Sequence, residues 1–219
     1  MKRILTTALA VMLVITATLT ASAQTEQTRK VSDFNGIAST GSFNIHVTMG
    51  GTESLKLSAP ADIINDIETI VEHNKLAIRF KRDKDGDNKN WNSDGKKIEV
   101  YITAKALSSL SITGSGSINV ADLKTTDMHA AITGSGSIKI DGNAETAHFV
   151  VTGSGEISAK GFKTNSASIT IAGSGSANIY ADKSISASIA GSGSVVYSGN
   201  AKVNKMNTAG SGSIRKAGE

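Results

Sequence analysis

The stretch Ile112-Thr113-Gly114-Ser115-Gly116-Ser117-Ile118 decides the fold, because close copies of it recur through the second half of the chain. The Gly-Ser-Gly core stands at 114–116, 134–136, 153–155, 173–175, 191–193 and 210–212. The first glycines of successive copies are 20, 19, 20, 18 and 19 residues apart. Flexible Gly/Ser linkers keep no such period, whereas stacked structural repeats do. We therefore interpret the copies as equivalent positions of one repeating unit.

Apolar residues alternate on both sides of each glycine motif. They stand two and four residues before the first glycine, as at Ile112 and Leu110, and four and six residues after it, as at Ile118 and Val120. A period of two is typical of a β-strand. Glycine permits positive φ and the close approach of a neighbouring backbone. Each Gly-Ser-Gly is therefore predicted to be a bend between two short strands.

A unit of this length cannot bury the apolar face of its strands alone. Stacked units bury it through parallel, in-register ladders around a continuous apolar interior. We predict an all-β fold, a β-solenoid with coils of about 19 residues. The handedness rule for parallel crossovers favours a right-handed parallel β-helix.

The first 23 residues have the layout of a secretory signal peptide. Lys2 and Arg3 form a basic start, an apolar run extends to Leu19, and 21–23 supply a small-x-small cleavage site. The alternative is a membrane anchor, for which the run is short. We expect an exported protein, periplasmic, associated with the outer membrane or secreted, with no membrane span after processing.

The mature chain is predicted to hold one domain. Residues 24–30 are expected to be a flexible N-terminus and 31–219 a single solenoid domain, with irregular early coils at 31–106 and regular coils at 107–214. Residues 61–71 fit either a short helix or a strand pair with a turn at Asn65 and Asp66.

Several segments resemble the head GIN domain family, which is described as "putative auto-transporter adhesins". They are Phe34-Asn35-Gly36-Ile37, the segment 41–47 with sequence GSFNIHV, and the repeated core at 114–120. The likeness covers residues 31–212, although the literal Gly-Ile-Asn tripeptide is absent. The resemblance implies a β-solenoid related in shape to pectin-lyase-like helices, a role in adhesion and no catalytic residues.

Composition excludes several classes of function. The chain has no Cys, which excludes disulfides and thiolate metal sites, and we expect no cofactor. It has only five Phe, three Tyr and one Trp, and a formal net charge of +4. Neither base stacking nor a strong basic surface is available, so nucleic acid is not an expected partner.

The middle residues of the glycine motifs are the main candidate binding residues. In-register stacking would align them about 4.8 Å apart in one outward column. A hydroxyl-rich strip of this kind could contact a glycan or a protein, or the hydroxyls could simply satisfy the backbone of the turns. Trp91, the single tryptophan, is a further contact candidate in the polar loop 81–97. The column consists of Ser115, Ser135, Ser154, Ser174, Ser192 and Ser211.

Two weaker patterns could bind a metal, although no metal site is predicted. His129 and His148 both lie five residues before their glycines, so they should stack outward on adjacent coils. Asp83, Asp85 and Asp87 alternate as in calcium loops, but Lys and Arg interleave with them.

Catalysis is not predicted. Pectin-lyase-like solenoids include carbohydrate-active enzymes, whose chemistry needs converging carboxylates. The acidic residues of the regular coils share no single coil position, and the repeated serines have no accompanying base.

We predict an exported, non-catalytic binding module, an adhesin whose partner is a glycan or a protein. The alternatives are a carbohydrate-active enzyme and a purely structural envelope protein. Open strand edges at the solenoid ends also suggest self-association.

Overall fold

The computed structural model describes residues 24–82 and 97–218, which form 17 strands and one 3-10 helix. The predicted signal peptide, Trp91, Asp83, Asp85 and Asp87 lie outside the described residues. The early strands are β1 (Gln24–Arg29), β2 (Gly36–Thr40), β3 (Asn44–Met49), β4 (Ser54–Pro60), β5 (Ile67–Glu72), β6 (Lys75–Phe80) and β7 (Glu99–Ala104). The later strands are β8 (Ser109–Gly114), β9 (Ser117–Gly134), β10 (Ser137–Gly153), β11 (Glu156–Ala159), β12 (Phe162–Gly173), β13 (Ser176–Tyr180), β14 (Ser184–Gly191), β15 (Ser194–Ser198), β16 (Lys202–Ala209) and β17 (Ser213–Lys216). The 3-10 helix spans Ile64–Asp66.

The strands stack as a parallel β-solenoid, which confirms the predicted fold. The first side, before the bends, has the order β6-β2-β8-β9-β10-β12-β14-β16. The second side, after the bends, has the order β7-β3-β9-β10-β11-β13-β15-β17. A shorter third side joins the middle of β9 and β10 to the start of β12. The alternating apolar residues of all three sides face one continuous core.

The bends have the geometry that the glycine motifs predict. Gly134 has a φ of +121°, and a Cβ placed on it would lie 2.6 Å from the carbonyl oxygen of Gly114 in the coil below. A Cβ on Gly136 would lie 2.7 Å from Cγ2 of the core residue Ile112. The first glycine is therefore required by its backbone conformation and by coil stacking, and the second by the core that lies directly beneath it.

The order of the coils in space differs from their order along the chain. The coil of β2 and β3 lies between the coil of β6 and β7 on one side and the coil of β8 and β9 on the other. From β2 onward, the chain therefore builds the second layer first, folds back to build the layer outside it, and then crosses to continue the stack. Local strand patterns hold no information on this order.

Antiparallel strands cover the outer layer at this end. β5 pairs with β6, β4 pairs with β7, and β1 pairs with β4. Residues 24–29 therefore form a strand, whereas the sequence predicts a flexible segment at 24–30. The Arg29 guanidinium anchors this strand by donating to the carbonyl oxygens of Ile67 (2.6 Å) and Ile64 (2.9 Å). Residues 61–71 contain the 3-10 helix followed by the start of β5. The segment is therefore neither a single short helix nor a strand pair, the two structures that its sequence allows.

Candidate functional site

The middle serines of the six glycine motifs are all exposed on the outer surface of the bends. The backbone of each bend is satisfied by its neighbour in the stack, since the amide of Ser135 donates to the Gly114 carbonyl (3.0 Å) and the amide of Ser154 donates to the Gly134 carbonyl (2.9 Å). Within residues 24–82 and 97–218, no hydrogen bond uses the hydroxyl of a middle serine. These hydroxyls are therefore directed to solvent and are not needed by the turns.

Two further columns flank the middle serines and widen them into a strip. One column begins with Ser117, whose hydroxyl donates to Oδ1 of Asn44 (3.0 Å). The other holds exposed Thr residues in the earlier coils and exposed Ala in the later ones. We call the three columns together the serine strip. It comprises Thr113, Thr133, Thr152, Ala172, Ala190 and Ala209, the six middle serines, and Ser117, Ser137, Glu156, Ser176, Ser194 and Ser213.

His129 and His148 stack as their positions in the repeat predict. Their ring centroids are 4.8 Å apart with an angle of 11° between the planes, and both side chains are exposed. Among the residues that the structure describes, no group of three or more His, Asp or Glu side chains is placed to hold a metal ion. The pair is thus an exposed imidazole stack with no third ligand in the described part of the chain.

A polar and aromatic cluster on the second side was not found from the sequence. The ring of His46 stacks on Tyr101 with centroids 5.1 Å apart, and its Nε2 lies 2.7 Å from Oε2 of Glu99. Asn44 donates to the other oxygen of Glu99 (3.0 Å), and Lys56 Nζ lies 5.2 Å from the Tyr101 ring centroid. Tyr101 is 43% exposed. The cluster joins β3 to β4 and β7, whose pairing could not be predicted from local patterns.

Opposing effects act on the Glu99 carboxyl in this cluster. Burial by itself raises the pKa of Glu99, but the hydrogen bonds from His46 and Asn44 and the nearby positive charge outweigh it, so the pKa lies below its ordinary value. Glu99 therefore stays ionised on moderate acidification and holds the His46 ring against Tyr101.

Several open hollows lie on the surface of the described residues, and two of them bring together residues of interest. One, of about 300 Å³, is lined by residues that include His46, Asn119, Lys139 and Asp141. The other, of about 500 Å³, lies on the third side and brings Glu145 and Asp182 to the same rim. Glu145 and Asp182 occupy different positions in their repeats. They line the same hollow because Ala144 pairs with Thr164 and the Asp182 amide donates to the Thr164 carbonyl (2.9 Å).

No helix among the described residues has both the length and the apolar character needed to cross a membrane.

Solved structures share the fold of this chain. A structure named as a putative adhesin from Bacteroides fragilis NCTC 9343 is 23% identical and has a TM-score of 0.68, with 90% of this chain and 98% of that chain covered. A structure named as a putative lipid binding protein from Parabacteroides distasonis ATCC 8503 is 24% identical and has a TM-score of 0.57, with the same shares covered. At such identities the likeness shows the fold alone. No curated protein matches the chain.

The family comparison covers most of the solenoid. Residues 33–201 match the family described as "Putative auto-transporter adhesin, head GIN domain". This range begins one residue before the motif Phe34-Asn35-Gly36-Ile37 and takes in five of the six glycine bends. The chain therefore belongs to the head GIN domain family.

Proposed function

We propose that this protein is an exported, non-catalytic binding module with an adhesin-like role, which contacts a glycan or a protein through the serine strip. The observation that carries the proposal is the column of six exposed serines whose hydroxyls have no partner among the described residues. Hydroxyls that the fold does not use can donate and accept hydrogen bonds with an external ligand. The family description supports the adhesin-like role.

A flat, rigid strip suits a binding surface because its residues are already ordered. Its backbone is held on both sides by neighbouring coils, so little conformational entropy is lost when a ligand binds. The regular spacing of about 4.8 Å between coils also presents the same group repeatedly, which favours an extended or repetitive ligand. An elongated glycan and an extended segment of a protein both have this form.

The test is a binding screen of the chain without residues 1–23 against soluble glycans and polysaccharides. Unsaturated and reducing-end products are assayed in the same wells. Retention without product supports the proposal, and the double variant Ser135→Gln/Ser174→Gln should then abolish it. The double variant Ser168→Gln/Ser186→Gln makes the same change on the first side, away from the strip, and should bind as the wild type does.

The screen also tests the alternatives. The position of Glu145 and Asp182 on one hollow favours a carbohydrate-active enzyme over a structural protein, and product formation would establish it. Absence of both binding and product would contradict the glycan form of the proposal and leave a protein ligand to be sought by cross-linking on cells. Export is tested separately, by fractionating cells that express the full chain and sequencing the mature N-terminus, where we expect Gln24.

A further inference from the structure

The third side of the solenoid contains a groove that the sequence analysis did not identify. Its walls are two outward columns that run along the solenoid axis, with Asn143 and Lys163 in one and Glu145 and Asn165 in the other. The buried residues Ala144 and Thr164 alternate with them and form the floor. Residues two apart in a strand are separated by about 6.6 Å, which sets the width of the groove. We call this hollow of about 500 Å³ the side groove.

The polar groups of the side groove are paired in a particular way. The Asn165 amide donates to Oε2 of Glu145, and in the next two coils the Asn200 amide donates to Oδ1 of Asp182 (3.1 Å). In each pair an amide holds a carboxylate in place, while the second carboxylate oxygen, the second amide hydrogen and the amide oxygen keep their hydrogen-bonding capacity. Each pair therefore presents donors and acceptors side by side in a fixed orientation.

Tyr180 closes one end of the groove. Lys163 Nζ lies 3.8 Å from the centroid of the Tyr180 ring, a cation–π contact that occupies one face of the ring. Thr164 donates its hydroxyl to the Tyr180 carbonyl (2.6 Å), which fixes the backbone at this end. The wall of the groove is thus held by contacts between coils, and its shape exists before any ligand arrives.

We propose that the side groove binds a neutral saccharide through adjacent hydroxyl groups. Neighbouring hydroxyls of a sugar ring each donate and accept, so one can donate to the carboxylate while the next accepts from the amide beside it. The ionised side chains of the groove are Glu145, Asp182 and Lys163, a net charge of −1, which disfavours an anionic polymer. This inference rests on the proposed glycan-binding role but assigns it to a surface other than the serine strip.

The repeat of the solenoid agrees with this ligand class. Successive coils are about 4.8 Å apart, and one sugar unit of an extended polysaccharide advances by a comparable distance. The Glu145–Asn165 pair and the Asp182–Asn200 pair each span two coils, so they follow one another along the axis at a distance of two coil spacings, about 9.6 Å. A chain of several units could therefore satisfy both pairs at once, and affinity should rise from a monosaccharide to an oligosaccharide.

The test is isothermal titration calorimetry on the chain without residues 1–23. The titrants are soluble mannan, galactan and dextran, and polygalacturonate is the anionic counterpart. We expect binding to at least one neutral polymer and at least tenfold weaker binding to polygalacturonate. Glu145→Gln and Asn165→Asp should each lower the affinity for the neutral polymer at least tenfold. The double variant E145Q/N165D restores a carboxylate–amide pair with reversed polarity and should bind more tightly than either single variant. Glu26→Gln, an exposed change far from the groove, is the matched control.

The outcomes separate this inference from the proposed function. No binding to any neutral polymer, or wild-type affinity in both single variants, overturns the side groove as a saccharide site. If the losses of the two single variants simply multiply in the double variant, the carboxylate–amide pair is not the recognition element. Loss of binding in the serine-strip variants with none in the groove variants would keep the proposed function and overturn the inference. Loss of binding in the groove variants with none in the serine-strip variants would support the side groove as the saccharide site and contradict binding through the serine strip.

Discussion

The early coils, residues 24–106, and the regular coils, residues 107–218, solve the same stacking problem by different means. In the regular coils, glycine bends repeat at equivalent positions and backbone ladders join one coil to the next. In the early coils, individual side chains do more of the work: Arg79 pairs with Glu68 (2.8 Å), His46 with Glu99 (2.7 Å), and Arg29 anchors β1. Repeated coils can lengthen a solenoid, but each added coil leaves a new unpaired edge, so a different structure is needed to cover the last one.

The ends of the stack show why the difference is needed. A parallel coil has unpaired backbone groups on its outer edge, and antiparallel β1, β4 and β5 cover that edge at the early end. At the other end, β16 and β17 pair with β14 and β15 and with no further strand of the described residues. Their edge holds Lys202, Lys205, Arg215 and Lys216, and like charges oppose the pairing of two such edges. Self-association through this end remains a proposal.

The largest effect should come from breaking a bend of the regular coils. Gly134→Ala places a Cβ 2.6 Å from the Gly114 carbonyl oxygen at a φ of +121°. Backbone strain and overpacking together should lower the free energy of unfolding by about 3–5 kcal/mol. Urea denaturation measures the loss. Gly51→Ala is the control in the early coils, because no atom of the described residues lies within 4 Å of a Cβ placed on Gly51. A similar loss of stability in Gly51→Ala would contradict this explanation.

A smaller effect of opposite sign is expected where the first coil departs from the repeat. Ser39 occupies the core position that Ile112 has in the next coil, and its buried hydroxyl has no hydrogen-bond partner among the described residues. Ser39→Ala removes an unsatisfied polar group and should stabilise the protein by about 0.5–1 kcal/mol. Ser58→Ala is the matched control, because Ser58 is also buried but donates to Oε1 of Gln24 (3.1 Å), and it should destabilise. Thermal unfolding of the two variants distinguishes the signs, and destabilisation by both would refute this interpretation of Ser39.

The smallest effect is a pH dependence confined to the early coils. The pKa of Glu99 is lowered in the folded state, so its contribution to stability is present above the ordinary value of 4.5 and is lost as the pH falls through the lower, folded-state value. The pair with His46 is partly exposed, and we expect less than about 1 kcal/mol. Urea midpoints at about pH 6 and about pH 3 should differ less in Glu99→Gln than in the wild type. An equal difference in both proteins would show that other groups cause the acid dependence.

The two candidate surfaces differ in how far the sequence could predict them. The serine strip and the His129–His148 stack follow from the repeat, because residues one period apart must be neighbours once coils stack in register. The side groove depends on where each coil turns: Asp122 has a φ of +56°, and the register between β9 and β10 shifts at this point. Glu145 and Asp182 line the same groove because Ala144 pairs with Thr164 and the Asp182 amide donates to the Thr164 carbonyl (2.9 Å).

The sequence by itself determined the solenoid, its coil length and the outward direction of the repeated serines, because the period of two and the period of about 19 residues are local and repeated. Only the tertiary structure decided the order of the first layers, the antiparallel cover and the contacts of His46 with Glu99 and Tyr101. These depend on which strands pair across separations such as the 53 residues between His46 and Glu99. The alternation of apolar and polar residues shows which face of a strand is buried. It does not show which strand pairs with which, because that depends on the relative stability of all the possible pairings.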